Sequence, residues 1–300
     1  MIKKEMLSRN NVFFVLVCIA LTACANKKKE EVKSIENKPV KEVIELKERL
    51  SDTTFVIKDR SYDVEVLIKT PADSIEVKGN MLLLHGWNFS NDDWCNKTEI
   101  CNKALANGYN VIAPSFGKST YQWELFPETI EKYRIYPSRK WMYDTLLTHL
   151  QNDFEVLKEN QFNVVVGLST GGRGAALFAL EKSDIFNGCA ALSADFDQTQ
   201  ISDEPINNGF YGSYTDFPAR WEGKDNIQNR VSEFNVPIYL GHGVNDKMCP
   251  VSQTEIFSEK LKEVNPSLKQ VLSLPEAGHN YEYWNSEVNA ILAFFEENRK

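Results

Sequence analysis

The chain has 300 residues, 42% of them hydrophobic and 25% charged, a balance that excludes a disordered, collagen-like or coiled-coil chain. Its 34 Lys and Arg stand against 42 Asp and Glu, a net charge of −8, so a polyanion is repelled on average and nucleic acid is not an expected partner. The length fits one large α/β domain or two small ones, enough to bury a substantial core without staples.

Met1–Arg9 is short and basic, Val12–Leu21 is almost wholly apolar, and Leu21-Thr22-Ala23-Cys24 leads into a charged stretch. This is the layout of a secretory signal with small residues at the cut. The apolar stretch Val12–Ala25 falls short of the roughly 20 residues a membrane-spanning helix needs. Leu-Thr-Ala-Cys resembles the bacterial lipoprotein box. That resemblance implies cleavage after residue 23, a lipid on Cys24 and a membrane anchor at the cell envelope. Ala25, where an Asp would retain the protein at the inner membrane, favours the outer membrane. Lys29-Glu30-Glu31 resembles surface-export signals of some bacterial lipoproteins, and a solvated spacer accounts for it equally well. The expected organisation is a signal over 1–23, a tether over 24–50 and one domain over 51–300.

Thr54–Lys58 and Val64–Lys69 read as a strand pair turned at Asp59–Asp63. Met81–Leu84 is a buried strand ending in His85-Gly86, and a helix is expected from Asp92 to Ala106, stopped at Gly108. Val111–Ala113 is a short strand. Residues 115–140 are aromatic and irregular. Met142, Leu146, Leu147, Leu150, Phe154 and Leu157 recur at helical spacing. Strand Asn163–Leu168 runs into Ser169, and a small-residue helix follows over Gly171–Leu180. Strand Cys189–Leu192 precedes a second polar and aromatic excursion, 195–232. Strand Val236–Leu240, helix Gln253–Val264, strand Gln270–Leu274 and helix Trp284–Glu297 complete the chain. Strands alternating with helices predict an α/β fold, a mostly parallel central sheet with helices on both faces and an antiparallel edge from the first two strands.

Of the six cysteines, Cys18 leaves with the signal and Cys24 carries the lipid. Cys95, Cys101, Cys189 and Cys249 then sit in an oxidising compartment. Cys95 and Cys101 are close enough to bridge, a point the sequence leaves open; Cys189 reads as a buried thiol. Without a Cys-x-x-Cys pair, a zinc ribbon or thioredoxin-type site has no support.

Gly167-Leu168-Ser169-Thr170-Gly171 is Gly-x-Ser-x-Gly between an apolar strand and a helix rich in Gly and Ala, the setting of a nucleophile elbow. The serine sits on a tight turn, so its neighbours must be small. A serine hydroxyl needs an adjacent base. Of the four His, His279 lies in the right order behind the last strand. His242, between two glycines, reads as a turn residue, and His149 as an ordinary helix residue. Asp246, just beyond strand Val236–Leu240, is the expected acid that holds the imidazole; Asp195 is the alternative. Backbone N–H groups of Thr170 and Trp87 are the expected oxyanion donors. Asn88 adds either a polar contact or loop structure. Gly117-Lys118-Ser119 is no phosphate loop, because position 112 is Ile112.

Gly167–Leu177, Asp184-Ile185-Phe186, Ala191-Leu192-Ser193-Ala194, Gly241-His242-Gly243 with Asp246, and Ala277–Trp284 together resemble the esterase D and feruloyl-esterase-like branch of the α/β-hydrolases. The likeness covers about residues 75–298 and is weak at 115–140 and 195–232. It implies a serine esterase working through an acyl-serine, with no cofactor and no metal, on acylated carbohydrates or small acyl or aryl esters. Thr170 stands where Met is common, and Arg173 varies the elbow's tail. A serine peptidase, an acyltransferase, or a binding protein that kept the fold without turnover are the alternatives. Trp123, Trp141, Phe210, Tyr211, Tyr214 and Trp221 could stack on substrate or pack the excursions onto the domain.

Overall fold

A computed structural model of the chain describes residues 53–58, 63–134 and 139–299. The expected signal, Cys24, the tether and all but the last residue of the Asp59–Asp63 turn lie outside the described residues.

One sheet holds eight strands: β1 Thr53–Lys58, β2 Asp63–Lys69, β3 Gly79–Leu84, β4 Tyr109–Pro114, β5 Asn163–Leu168, β6 Gly188–Leu192, β7 Ile238–Gly241 and β8 Gln270–Ser273, in the order β1-β2-β4-β3-β5-β6-β7-β8. β2 runs antiparallel to β1 and to β4. Every other pair is parallel. β3 through β7 are buried along their whole length, as parallel strands covered on both faces must be. The helices are α1 Asp93–Lys97, α2 Ile100–Ala106, α3 Arg139–Trp141, α4 Leu147–Asn152, α5 Thr170–Glu181, α6 Pro205–Tyr211, α7 Pro218–Trp221, α8 Ser252–Val264, α9 Tyr281–Ser286 and α10 Val288–Asn298.

The period-two alternation of the strands divides the interior. Leu82, Leu84 and Val165 join Ala175, Phe178 and Phe257 in one core. Met81, Leu83, Val164 and Val166 join Trp94, Ile291 and Phe295 in another. Helices therefore cover both faces, the α/β architecture that the strand–helix alternation predicts.

Three expected helices differ in detail. The stretch 92–106 is two helices, because Thr98 is extended; its hydroxyl donates to Trp94 O (2.5 Å) and accepts from Ile100 N–H (3.3 Å). A disulfide between Cys95 and Cys101 ties that corner, with Cα atoms 5.1 Å apart. The apolar repeat at 142–157 begins a turn earlier, at Arg139, is π-helical over Met142–Leu146, and leaves helical form after Asn152. Phe154 instead stacks on Phe55 (4.1 Å) and Leu157 is buried, so tertiary packing uses apolar positions that helical periodicity alone assigns to one helix. The final helix breaks at Glu287, whose carboxylate accepts hydrogen bonds from Tyr239 (2.5 Å) and Ser273 (3.2 Å) on the sheet.

The two excursions pack together. Tyr133, Phe210, Tyr211 and Trp221 are buried in a third cluster, so these aromatic rings are interior packing and not a stacking surface; Trp141 belongs to the main core. Arg139, fully buried, pins them down: it donates to Tyr121 O (2.7 Å) and pairs with Glu181 (2.7 Å) and Asp225 (3.0 Å).

Candidate active site

Parallel pairing brings the strands' carboxyl ends to one edge, where open α/β sheets place their sites. Leu84 of β3 pairs with Gly167 of β5, and Leu168 with Leu192 of β6. Leu192 pairs with Gly241 of β7, and Gly241 with Ser273 of β8. The loops carrying Trp87, Ser169, Asp195, Asp246 and His279 thus leave the sheet side by side.

Ser169 sits at φ 55°, ψ −127°, a backbone state that costs a residue with a side chain on the order of 1–3 kcal/mol and persists only where the surroundings impose it. Its N–H donates to Leu192 O (2.8 Å), and its carbonyl accepts from the N–H groups of Gly172 (2.9 Å) and Arg173 (3.2 Å). The turn closes because Gly167 and Gly171 lack side chains. A Cβ on Gly167 would lie 1.9 Å from Gly171 O, and one on Gly171 would lie 2.4 Å from Leu84 O. This is the strained strand-to-helix corner the sequence predicts at Ser169.

The strand end facing it is tied carbonyl by carbonyl. Leu84 O accepts from the Trp94 indole (3.0 Å), His85 O from the Tyr121 hydroxyl (2.9 Å), and Gly86 O from His85 Nδ1 (2.7 Å). His85 Nε2 accepts from Phe116 N–H (2.8 Å), which fixes the proton on Nδ1. Burial lowers the His85 pKa against a smaller opposing effect from Gly86, so this histidine is a neutral brace. Asn88, at φ 56°, donates its N–H to Gly117 O (3.0 Å) and serves the loop's structure. Among the described residues nothing accepts from the N–H of Trp87 or of Thr170. The Trp87 indole is gripped edge-to-face by Tyr133 (4.9 Å) and Phe210 (5.8 Å).

His279 Nδ1 donates to Asp246 Oδ2 at 2.6 Å, which leaves Nε2 as the basic nitrogen. Asp246 Oδ1 accepts from the N–H groups of Met248 (2.8 Å) and Cys249 (2.9 Å). Burial works against the Asp246 charge, but hydrogen bonds from His242, His279 and the Cys249 N–H outweigh it and hold the carboxyl well below the usual range. His242 is more than a turn residue. Fully buried, its Nε2 donates to Cys249 O (3.0 Å) and lies 3.4 Å from Asp246 Oδ2, while Nδ1 meets the Thr254 hydroxyl (2.7 Å). The spacing of four residues between His242 and Asp246 is the sequence signal for that contact. Asp195 is committed to another partner than His279: its Oδ2 pairs with the buried Arg173 Nη1 at 2.8 Å. His149 is an exposed helix residue paired with Asp153 (2.6 Å).

Ser169, Thr170, His279 and Trp87 line one cavity of about 250 Å³. Among the described residues no hydrogen bond joins Ser169 directly to His279. Cys249, Asn207 and Glu204 also face this cavity, and sequence reasoning did not single them out as site residues. Among the described residues no group of three His, Cys, Asp or Glu is placed to hold a metal ion.

Comparison with known proteins fits this geometry. No curated protein sequence matches the chain. A serine hydrolase of Staphylococcus aureus, FphF, is 19% identical, with 81% of this chain and 98% of that chain aligned at TM-score 0.63. A ferulic acid esterase is 18% identical over 83% and 98%, TM-score 0.63. An S-formylglutathione hydrolase of Agrobacterium tumefaciens is 15% identical over 84% and 97%, TM-score 0.68. At such identities the likeness establishes the fold. The family model described as Putative esterase matches residues 109–295, which span β4, the Ser169 corner, Asp246 and His279. The chain belongs to the Putative esterase family, as a serine carboxylic-ester hydrolase on the α/β-hydrolase fold.

Proposed function

We propose that Ser169 is the nucleophile of this esterase, that His279 takes its proton and returns it to the leaving alcohol, and that Asp246 holds the imidazole. Attack forms the Ser169 Oγ–acyl carbon bond and a tetrahedral oxyanion. Collapse of that oxyanion breaks the bond to the alcohol and leaves an acyl-serine. Water, deprotonated by His279, then releases the acid and restores Ser169. The N–H groups of Thr170 and Trp87 stabilise the oxyanion, each worth roughly 3–4 kcal/mol at the transition state. The observation that carries this reading is the 2.6 Å His279–Asp246 hydrogen bond at the cavity that also holds Ser169 on its strained corner. The substrate class is an acylated carbohydrate or a small acyl or aryl ester, in keeping with a cavity small by the standard of drug-sized ligands.

The protein works from the cell envelope, anchored by lipid on Cys24. The Cys95–Cys101 disulfide supports an oxidising compartment, and Cys24→Ala moving the protein out of the membrane fraction tests the anchor. For the chemistry, hydrolysis of p-nitrophenyl acetate and covalent labelling by a fluorophosphonate are measured in wild type and Ser169→Ala. Both signals vanish in the folded variant if Ser169 is the nucleophile. Hydrolysis that persists at the wild-type rate removes it from that role.

A further inference from the structure

One wall of the cavity is polar in a way the hydrolytic steps do not use. It is formed by Asp195, Glu204 and Asn207, all on the second excursion. Asp195 keeps one carboxylate oxygen on Arg173 (2.8 Å), and Oδ1 accepts no hydrogen bond from a described residue. Glu204 caps α6 with Oε2, accepting the Asn207 N–H (2.8 Å), which leaves Oε1 free. Asn207 is only 3% exposed, and its side-chain amide makes no hydrogen bond to any described residue. With no partner among the described residues, this amide is left to the cavity, where a ligand's groups can hydrogen-bond it. Ile206 and Met248 supply the apolar remainder.

We infer that Asp195, Glu204 and Asn207 form a subsite for a hydroxyl-bearing, uncharged half of the ester, and that the same wall turns carboxylate-bearing substrates away; this rests on Ser169 chemistry in the cavity proposed above. The charges decide the class. Asp195 is neutralised by Arg173, which is itself fully buried and further anchored to Thr120 O (3.0 Å). Glu204 is partly exposed and committed to a helix N–H, where solvent screens what charge remains. What the wall offers is acceptor oxygens in hydrogen-bonding geometry, which hydroxyl groups fill without desolvating an ion. A carboxylate would bring like charge against Glu204 and meet no Lys or Arg among the described residues that line the cavity.

The test compares kcat/KM for matched esters: acetates of glycerol, propanol, choline and glycolate, and ethyl esters of glyceric, butyric and succinic acids. The wild-type enzyme should favour the hydroxylated member of one series over its plain counterpart by about tenfold, and disfavour the carboxylate member by a similar factor. Asn207→Leu should collapse the hydroxylated-to-plain ratio toward unity. Glu204→Gln, whose carbonyl must stay on the Asn207 N–H so that its NH2 faces the cavity as a donor to hydroxyl oxygens, should lower that ratio less than Asn207→Leu does and weaken the discrimination against carboxylate. No preference for hydroxyls in either series would overturn the inference, as would choline acetate being the best substrate and losing that rank in Glu204→Gln. Wild-type substrate ratios decide the matter even where a variant fails to fold. Ser169-dependent hydrolysis of p-nitrophenyl acetate, run alongside, separates loss of this subsite from loss of the proposed nucleophile.

Discussion

Replacing Asp246 by Asn tests the acid and the base together, and the geometry fixes the size of the effect. Oδ1 of Asp246 accepts two backbone N–H groups, from Met248 and Cys249. An asparagine must keep its carbonyl oxygen there, which puts its NH2 in the place of Oδ2. That position faces His279 Nδ1 at 2.6 Å and His242 Nε2 at 3.4 Å. His242 cannot turn away, because its Nε2 proton is bonded to Cys249 O and its Nδ1 to Thr254. His279 must then present a lone pair from Nδ1 and move its proton to Nε2. The nitrogen that should receive the Ser169 proton is occupied, as happens when the acid of a hydrolytic triad is made an amide. A fall in kcat of about 10⁴ is expected, close to 5.5 kcal/mol of transition-state stabilisation at 1.36 kcal/mol per decade. KM should move little, since no substrate contact is removed. The assay is steady-state hydrolysis of p-nitrophenyl acetate with a thermal melt as the folding control. A folded Asp246→Asn enzyme retaining more than about a tenth of wild-type kcat would mean that Asp246 does not set the tautomer of His279.

Gly171→Ala drives a Cβ to 2.4 Å from Leu84 O and 2.5 Å from His85 O; it should cost about 1–3 kcal/mol of stability and, by displacing the Ser169 corner from the Trp87 strand end, about a hundredfold in kcat/KM, read by melting and kinetics. Phe210→Leu removes a ring that holds the Trp87 indole; kcat should fall about tenfold, less than the loss of a whole oxyanion donor, with KM nearly constant. Reducing the Cys95–Cys101 bridge, which closes a loop of sequence separation 6, should lower stability by about 2 kcal/mol, seen as a drop in Tm of about 5 °C in reductant. Asp246 and Glu181 both have carboxyl pKa values held below the ordinary range; for Glu181 burial opposes the shift, and Arg139, Arg230 and Tyr143 outweigh it. Their ionised forms favour the folded state, so that stability is complete above the ordinary carboxylate value of about 4 and is lost as the pH falls through their folded values. Denaturant titrations across that window should show it, and a stability flat from pH 5 to pH 2 would contradict the two environments, since the unfolded chain takes up these protons near pH 4.

The core of the molecule was readable because its constraints are local. A strand buried on both faces needs an unbroken apolar run, and Val164-Val165-Val166 supplies it. A strained corner needs small neighbours, and Gly167 and Gly171 stand where a Cβ would strike backbone 1.9–2.4 Å away. Asp246 and His279 follow β7 and β8 in chain order, so parallel pairing alone delivers them to the edge where Ser169 sits. The helix ends were less readable, since they depend on partners distant in sequence: Glu287 breaks the last helix because Tyr239 and Ser273 claim its carboxylate. His242 looked like a turn residue because glycines flank it, although its spacing of four residues from Asp246 carried the signal of the contact that its Nε2 makes.

The excursions obey a different rule, and it explains why the reaction was legible and the substrate was not. Their positions are set by contacts that join 115–140 to 195–232 across the molecule: Arg139 to Asp225, Trp123 N–H to Asp225, Thr129 to Phe210 O, and Tyr133 stacked on Phe210. No periodicity encodes such pairs. Yet the same contacts carry the cavity's polar wall and the rings that hold Trp87. The Trp87 loop is thus braced from below by His85 and the sheet, and from above by the excursions, which also line the cavity. A change in the excursions that alters the substrate accepted should therefore also register in kcat through Trp87, whereas a change confined to the polar atoms of Asn207 should alter selectivity between substrates first. That separation follows from where each residue's contacts end: at Trp87 for Phe210, and at the cavity for Asn207.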